Sequence, residues 1–471
     1  MTLALPWGIM KMTNTGGIVL SHTTSVCPHC LKRIDACHHV RGGRVYLEKV
    51  CPEHGSFRTI VWDEAENFSS WKAPVGLSSP ARTQTKIEQG CPFDCGLCPD
   101  HLQKTCCVLL EVTSRCDLRC PICFADSAVQ TQVDPPLSTI REWYEILSDR
   151  GGPYNVQLSG GEPCLRDDLP SIVELGRAKG FPFIQINTNG LRLSHDKSFL
   201  KALKQGGAST IFLQFDGTQA EIHRRLRGRD LLDQKKRAID HCAEQEIGVV
   251  LVSTLVPGVN EHDLGALIRF SLEQLPAVRG VHFQPISYLG RYPSVPNDSD
   301  RITIPEVLRR LENQTEGLLQ QKHFKPSRGT NSYCSFYAHY VVMPDGKLLP
   351  LTKRASDDCC GCGQESKGEG SIRARDFVSR SWRYGAALQE SPTTSSVSLG
   401  GWDMFLERFQ NYSFCVSGMA FQDAWNLDLA RLKECYVHVM SPEGHLVPFC
   451  SYYLTSAQGR SLYQGKQGNQ K

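Results

Sequence analysis

The chain lacks a strong charge of either sign. Its 52 Lys and Arg against 49 Asp and Glu leave +3 at pH 7, and no basic run marks a surface for nucleic acid or an anionic membrane. It also lacks a membrane span. The longest apolar run, Ile247 to Val256, has about half the length a bilayer crossing needs and is rich in Val, as a buried strand would be. The first ten residues have neither the basic start nor the continuous apolar stretch of a secretory signal, and no long tandem repeat is present. These absences predict a cytoplasmic protein in a reducing compartment, with no nucleic-acid partner and no transmembrane segment.

What the chain has in excess is cysteine, 21 in 471 residues. An odd total suits a disulfide framework poorly, and the CxxC and CxxxCxxC spacings beside Pro, Gly and His favour thiolate ligation of metal. Cys27-Pro28-His29-Cys30 is answered by Cys51-Pro52-Glu53-His54, with the strand-like Val45-Tyr46-Leu47 between. Two such knuckles make one tetrahedral site from Cys27, Cys30, Cys51 and His54, for zinc or a rubredoxin-type iron, the histidine tilting the choice toward zinc. Cys37, without a CxxC partner, reads as a bystander. Residues 63–89 read as a linker. Next comes Cys91-Pro92-Phe93-Asp94-Cys95-Gly96-Leu97-Cys98, expected to hold an auxiliary [4Fe–4S] cluster through Cys91, Cys95 and Cys98, with His101, a distant cysteine or a substrate in the fourth place and zinc as the alternative.

The same CxxxCxxC spacing recurs in Cys116, Cys120 and Cys123, now directly after the strand-like Val108 to Val112. Three thiols without a nearby fourth leave one iron of a cluster open to a ligand. From there the sequence alternates strands (Val108–Val112, Val156–Leu158, Phe183–Ile186, Thr210–Gln214, Gly248–Thr254, Val281–Pro285) with helical stretches such as Leu137–Ser148 and Arg229–Glu246. Alternation of this kind predicts parallel βα units. Six are too few for a closed eightfold barrel, so the expected fold class is α/β, a partial (β/α)6 TIM-like barrel with its site at the C-terminal strand ends. The predicted division is a metal-knuckle module over 1–62, a linker with the auxiliary segment over 63–105, the barrel over 106–292 and a cysteine-rich C-terminal region over 293–471. In that last region a helix is expected over Pro305–Gln320, hairpins around Pro344-Asp345-Gly346 and Pro442-Glu443-Gly444, and an exposed or mobile polar insertion over Gly363–Gly401.

The triplet Cys116, Cys120, Cys123, followed after the second strand by Gly160-Gly161-Glu162-Pro163, resembles the radical S-adenosylmethionine superfamily over roughly 108–290. The resemblance implies a [4Fe–4S] cluster on the three cysteines and S-adenosylmethionine chelated to its open iron. Reductive cleavage of that ligand would give a 5′-deoxyadenosyl radical that attacks an unactivated sp3 carbon. Gly160 and Gly161 would let backbone approach the ligand, Glu162 would accept a bond from its ammonium, and Pro163 would fix the turn. Asn189, Asp216, Ser253 and Gln284, at or near the later strand ends, are candidates to meet its ribose or carboxylate, Asp216 having helix capping as an equal alternative.

The flanking modules are similar to the branch containing the archaeal tetraether lipid synthase and the dihydropterin methyltransferase-like proteins. That likeness implies further clusters, with Cys334, Cys435 and Cys450 among their ligands, and C–C bond formation or one-carbon transfer on a lipid or pterin-like substrate. A reductant such as ferredoxin or flavodoxin is implied as partner. Cys359-Cys360-Gly361-Cys362 departs from the lipid synthase pattern and leaves the substrate open. A peptide-modifying radical enzyme and, from another class, a multi-cluster electron-transfer protein are the competing readings.

Overall fold

In the computed structural model the described residues are 18–80, 82–127, 133–352, 370–385 and 407–463, with 4–5 and 8–9 as a short antiparallel pair. Cys359, Cys360 and Cys362 lie outside them. The N-terminal part is a four-stranded antiparallel meander, β1 (Ile18–Val26), β2 (Arg33–Arg41), β3 (Arg44–Cys51) and β4 (Gly55–Trp62). Its two tight turns at the knuckles carry the cysteines. The stretch read as a linker contains helix α1 (Ala65–Trp71), whose Phe68 and Trp71 are buried. Phe68 stacks on Tyr333 at 4.3 Å, and Trp71 donates to the Ser332 carbonyl at 2.9 Å. Two aromatics three apart on one short helix are enough to dock it, although seven residues show too little periodicity to announce it.

The centre is built as expected from parallel βα units: β5 (Cys107–Thr113), α2 (Leu137–Asp149), β6 (Asn155–Gly160), α3 (Leu169–Ala178), β7 (Ile184–Thr188), α4 (Lys197–Gly206), β8 (Thr210–Gln214), α5 (Ala220–Arg227), α6 (Leu232–Glu244), β9 (Gly248–Leu255), α7 (Leu264–Glu273) and β10 (Val278–Pro285). The expected C-terminal helix is α8 (Ile304–Gln314), shorter than read because the backbone turns left-handed at Glu316 (φ +54°) and Gly317 (φ +79°). Then follow β11 (Ser335–Val342), β12 (Leu348–Pro350), α9 (Gly370–Ser381), β13 (Ser413–Met419), α10 (Leu429–Lys433), β14 (Val437–Met440), β15 (Leu446–Pro448) and α11 (Phe449–Tyr452).

The eleven-stranded sheet runs β12-β11-β13-β10-β9-β8-β7-β6-β5-β14-β15. β14 pairs parallel to β5 and β13 parallel to β10, so the C-terminal region lengthens the barrel sheet at both edges. The core is apolar on the helix side, with Val108, Leu110, Val156, Leu158, Ile184, Ile186, Ile211, Leu213, Val249 and Leu251 all essentially inaccessible. Their strand neighbours point the other way, into the barrel, as the period of two requires.

The polar stretch Gly363–Gly401 is not wholly an exposed insertion. Its described part, α9 and the residues just after it, lies across the N-terminal ends of the strands. Arg375 donates to the Pro153 carbonyl at 3.0 Å, and its own carbonyl accepts from Asn155 at 3.0 Å. Trp382 is buried against Phe212. A Cβ on Gly248 would come within 2.4 Å of the Trp382 carbonyl, so β9 needs its glycine for this helix to seat. Among the described residues no helix is long and apolar enough to cross a membrane.

Candidate active site

Cys116, Cys120 and Cys123 sit on the loop leaving β5 and border a cavity of about 990 Å³ inside the barrel. The loop is held from three directions. Leu118 packs with Leu191 and Leu231, and Cys116 and Cys120 lean on that cluster. Asn189 donates its amide to Asp117 at 2.6 Å. Cys123 and Arg291 exchange both main-chain hydrogen bonds at 2.9 Å, while the Arg291 guanidinium donates to the Cys120 carbonyl, to Asp126 and to the Ser127 carbonyl. Gly290 makes this possible. It sits at φ +59°, and a Cβ there would meet the Phe124 carbonyl at 2.3 Å. Arg291 escaped the sequence reading, for which a Gly-Arg pair just past the sixth strand was the only signal.

Burial pushes the Cys116 thiol up to about 12 and raises Cys123 as well. Such thiols become thiolates only beside positive charge, which bound iron supplies. One ion at bonds of about 2.3 Å needs its ligand atoms roughly 4 Å apart. Among the described residues only Cys27, Cys30, Cys51 and His54 meet so closely, within 4.8 Å. The wider spread of the loop thiols suits a polynuclear cluster.

The Gly160 to Pro163 turn follows β6 beside this loop. Its glycines are required by the neighbouring backbone: a Cβ on Gly160 would lie 2.1 Å from the Thr113 carbonyl, and one on Gly161 would lie 2.0 Å from that of Arg115. They let β6 end against the β5 loop, and both border the cavity. Glu162 is buried. It accepts from Cys164 N–H at 2.9 Å, from the Thr188 hydroxyl at 2.6 Å and from Asn189 N–H at 2.6 Å. Burial raises it to about 7, against the pull of those donors. Pro163 begins the short turn after it and is buried away from the cavity.

The later strand ends divide. Asn189 and Gln284 border the cavity. Asp216 does not: its carboxylate is clamped by Arg227 at 2.6 and 2.7 Å and also accepts from Gln214. Burial alone would raise its pKa, but Arg227 and Lys235 hold it below the usual carboxylate range. Arg227, missed in the sequence because it closes α5 eleven residues away, is the group that faces the cavity and reaches the Cys120 thiol. Ser253 is likewise turned inward, donating to the Asp216 carbonyl at 3.0 Å.

The other cysteine groups also assemble. In the N-terminal meander the Cys27 and Cys51 thiols lie 3.6 and 3.5 Å from His54 Nδ1, and Cys30 lies 4.0 Å from Cys51. The His54 contact pulls Cys51 down to about 6. Cys91, Cys95 and Cys98 face one another in a buried notch with Lys433 and Pro448, their loop tied by the Asp94 carboxylate, which accepts from three successive N–H groups at 2.6–2.7 Å. His101 spends Nε2 on the Cys435 carbonyl at 2.8 Å, leaving only Nδ1 for a metal. Cys334, Cys435 and Cys450 converge from three segments near Arg431, which donates to the Cys334 thiol at 3.4 Å.

Comparison with known proteins agrees with this geometry. A family model described as the radical SAM superfamily matches residues 110–271, and one described as the HMPTM N-terminal zinc ribbon domain matches residues 19–63. The 7,8-dihydro-6-hydroxymethylpterin dimethyltransferase of Methanocaldococcus jannaschii is 34% identical over 91% of this chain and 92% of its own length. The chain belongs to the radical SAM superfamily. A probable GTP 3′,8-cyclase of Methanothermobacter marburgensis is 25% identical over 54% of this chain and 87% of its own. Among solved structures, SuiB of Streptococcus suis bound to S-adenosylmethionine overlaps 46% of this chain and 48% of that one at 17% identity and TM-score 0.38. Membership of the radical SAM superfamily implies a [4Fe–4S] cluster and S-adenosylmethionine as cofactors, and Cys116, Cys120 and Cys123 are three thiols of one loop that border one cavity.

Proposed function

We propose that the enzyme transfers a one-carbon unit to, or otherwise functionalises, an sp3 carbon of a small pterin-like substrate held in the barrel. The observation that carries this is the single cavity shared by the three loop cysteines and by inward-facing Gln157, Gln185, Asn187, Gln214 and Gln284. Amides along the wall favour a polar ring over an alkyl chain, because covering them with hydrocarbon would strip their hydrogen bonds without replacement. The near full-length likeness to a dihydropterin dimethyltransferase supports the same choice.

When bound, the cluster and S-adenosylmethionine supply a carbon radical that takes hydrogen from an unactivated carbon. The protein supplies position. Glu162 is proposed to receive the ligand's ammonium, since three internal donors leave one lone-pair direction of its carboxylate open. Asn189 ties Glu162 to the cysteine loop, and Gln284 is proposed to meet the ligand's polar edge. Asp216 and Ser253 act at one remove, by aiming Arg227 and its strand. The auxiliary sets Cys91, Cys95, Cys98 and Cys334, Cys435, Cys450 are proposed to hold further [4Fe–4S] clusters that pass electrons, fed by a ferredoxin or flavodoxin, and the N-terminal set one mononuclear zinc.

Anaerobic reconstitution with iron and sulfide, followed by assay with dithionite as the electron donor, tests the reading. The wild type is expected to form 5′-deoxyadenosine from S-adenosylmethionine and to alter 7,8-dihydro-6-hydroxymethylpterin. Cys116→Ala should do neither. An unchanged pterin pool with the wild type would reject the substrate, and equal cleavage by Cys116→Ala would reject the site.

A further inference from the structure

Cys334, Cys435 and Cys450 converge on a buried cation that has no ion-pair partner among the described residues. Arg431 on α10 is 9% exposed. Its Nη2 donates to the Cys334 thiol at 3.4 Å and to the Ala420 carbonyl at 3.2 Å, while Nε is buried without a partner. Asp428 is spent elsewhere, its Oδ1 accepting from the Thr23 hydroxyl at 2.6 Å and from Ala430 N–H at 2.9 Å. Of the other buried arginines, Arg166, Arg227 and Arg301 each hold a carboxylate at 2.6–2.9 Å. Arg279 holds none and gives both terminal nitrogens to main-chain carbonyls, and burial lowers its pKa to about 10. Burial opposes the charge of Arg431 too, but there Cys334, ahead of Asp428 and Cys450, outweighs it and raises the pKa.

A buried guanidinium without an anion is costly to keep. The thiols beside it are not that anion while they hold their protons: burial raises Cys435 well above its ordinary value and Cys450 to about 12, and bound iron is what turns them into thiolates. A cluster assembled on three thiolates is net negative, and more so once it gains an electron. Hydrogen bonds to its sulfurs and positive charge at its edge both favour the reduced state. Arg431 offers both, and Cys450 accepts a further bond from Gln422 N–H at 3.2 Å. The other auxiliary set has no such group. Lys433, also on α10, borders the notch of Cys91, Cys95 and Cys98, but its side chain is 35% exposed and pairs with Asp100 at 3.1 Å, so solvent and a carboxylate take up its charge. Position adds to the contrast. Ser335, Tyr436 and Phe449, each the chain neighbour of one cysteine of the Arg431 set, border the barrel cavity, whereas no residue of 91–98 does.

We propose that Arg431 is the counter-ion of an iron–sulfur cluster on Cys334, Cys435 and Cys450, donating to its sulfurs and making it the more easily reduced of the two auxiliary clusters, so that electrons come to rest beside the cavity. The proposal rests on the reading above that both cysteine sets hold clusters. Arg431 is then a positioning residue, which holds charge against the cluster and touches no substrate.

The full chain carrying Cys116→Ala, Cys120→Ala and Cys123→Ala, reconstituted anaerobically with iron and sulfide, keeps only the auxiliary clusters; adding Cys334→Ala and Cys450→Ala shows which signal belongs to which set. In a potential titration followed by EPR, the signal lost with those two cysteines is expected to be reduced first. Arg431→Gln should make its reduction about tenfold less favourable, about 59 mV lower for one electron, at unchanged iron and sulfide content. Arg431→Lys, which keeps the charge, should recover most of the difference. Arginine isotopically labelled at its guanidinium nitrogens should give the reduced cluster a nitrogen coupling in pulsed EPR that Arg431→Lys lacks. An unshifted potential in Arg431→Gln, or the opposite order of reduction, overturns the role of Arg431 and leaves the clusters in place. Where Arg431→Gln does not load iron, the labelled parent decides: a coupling upholds the contact and its absence overturns it. Iron and sulfide content indifferent to Cys334→Ala with Cys450→Ala means that this set holds no cluster, and the reading above falls together with the proposal.

Discussion

Glu162 is the residue whose charge state matters most at neutral pH. Burial raises it from 4.5 to about 7, so it is mostly protonated at pH 6 and mostly ionised at pH 8. Only the carboxylate attracts an ammonium. Affinity for S-adenosylmethionine is therefore expected to rise about tenfold across that interval, and Glu162→Gln should flatten the rise; binding titrations of the cluster-loaded protein at each pH check it. At this scale the sequence was legible where ligands are local. The two knuckles around Cys27 and Cys51 announce themselves by spacing, and the structure brings Cys27, Cys30, Cys51 and His54 together; the spacing of Cys116, Cys120 and Cys123 likewise places them on one loop at the cavity. It was illegible where two distant residues meet: Asp216 reads as a chemistry-bearing acid at a strand end, yet Arg227 from the next helix takes its charge and faces the cavity instead. Gly161 shows the same limit, because a Cβ there would collide with the Arg115 carbonyl, a contact that the local sequence does not announce.

Among the elements, α9 carries the least expected role. Its Ser- and Arg-rich sequence reads as a solvated insertion, and its first residues follow a long polar run. What decides its place is Trp382 just beyond its end, buried against Phe212 and set where Gly248 leaves room. Trp382→Ala should cost about 3–5 kcal/mol, as removal of a buried Trp does, seen as a lower urea midpoint. The parallel strands were readable because each is a short, largely apolar run set between helix-length gaps. The hairpin around Pro442-Glu443-Gly444 was readable and is β14 and β15, but its place in the sheet was not, nor was β13, since nothing in a seven- or four-residue strand states which edge of a distant sheet it will extend.

Over the whole molecule the N-terminal meander is fastened to the C-terminal region. Thr23 donates to Asp428 at 2.6 Å, buried Lys49 to the Ala424 carbonyl at 2.7 Å, and Arg309 pairs with Asp63 at 2.7 Å. Residues some four hundred apart in sequence thus share one interface. Removal of the metal proposed for the meander should be felt everywhere: Cys51→Ser, or a zinc chelator, is expected to lower a single thermal transition of the full chain, whereas a separate early transition would show the meander unfolding alone. The cysteine spacings give no sign of this docking, because it is made by single Thr, Lys and Arg side chains without a pattern. A last consequence belongs to the reciprocal bonds between Cys123 and Arg291. They join the loop after β5 to the chain just past β10, the two ends of the central six-strand run, and so act as a hoop around the rim of an otherwise open sheet. The girth of the mouth is then set by main-chain hydrogen bonds, independent of any bound group, and the amide protons of these two residues should be among the slowest on the rim to exchange with deuterium even before iron is added.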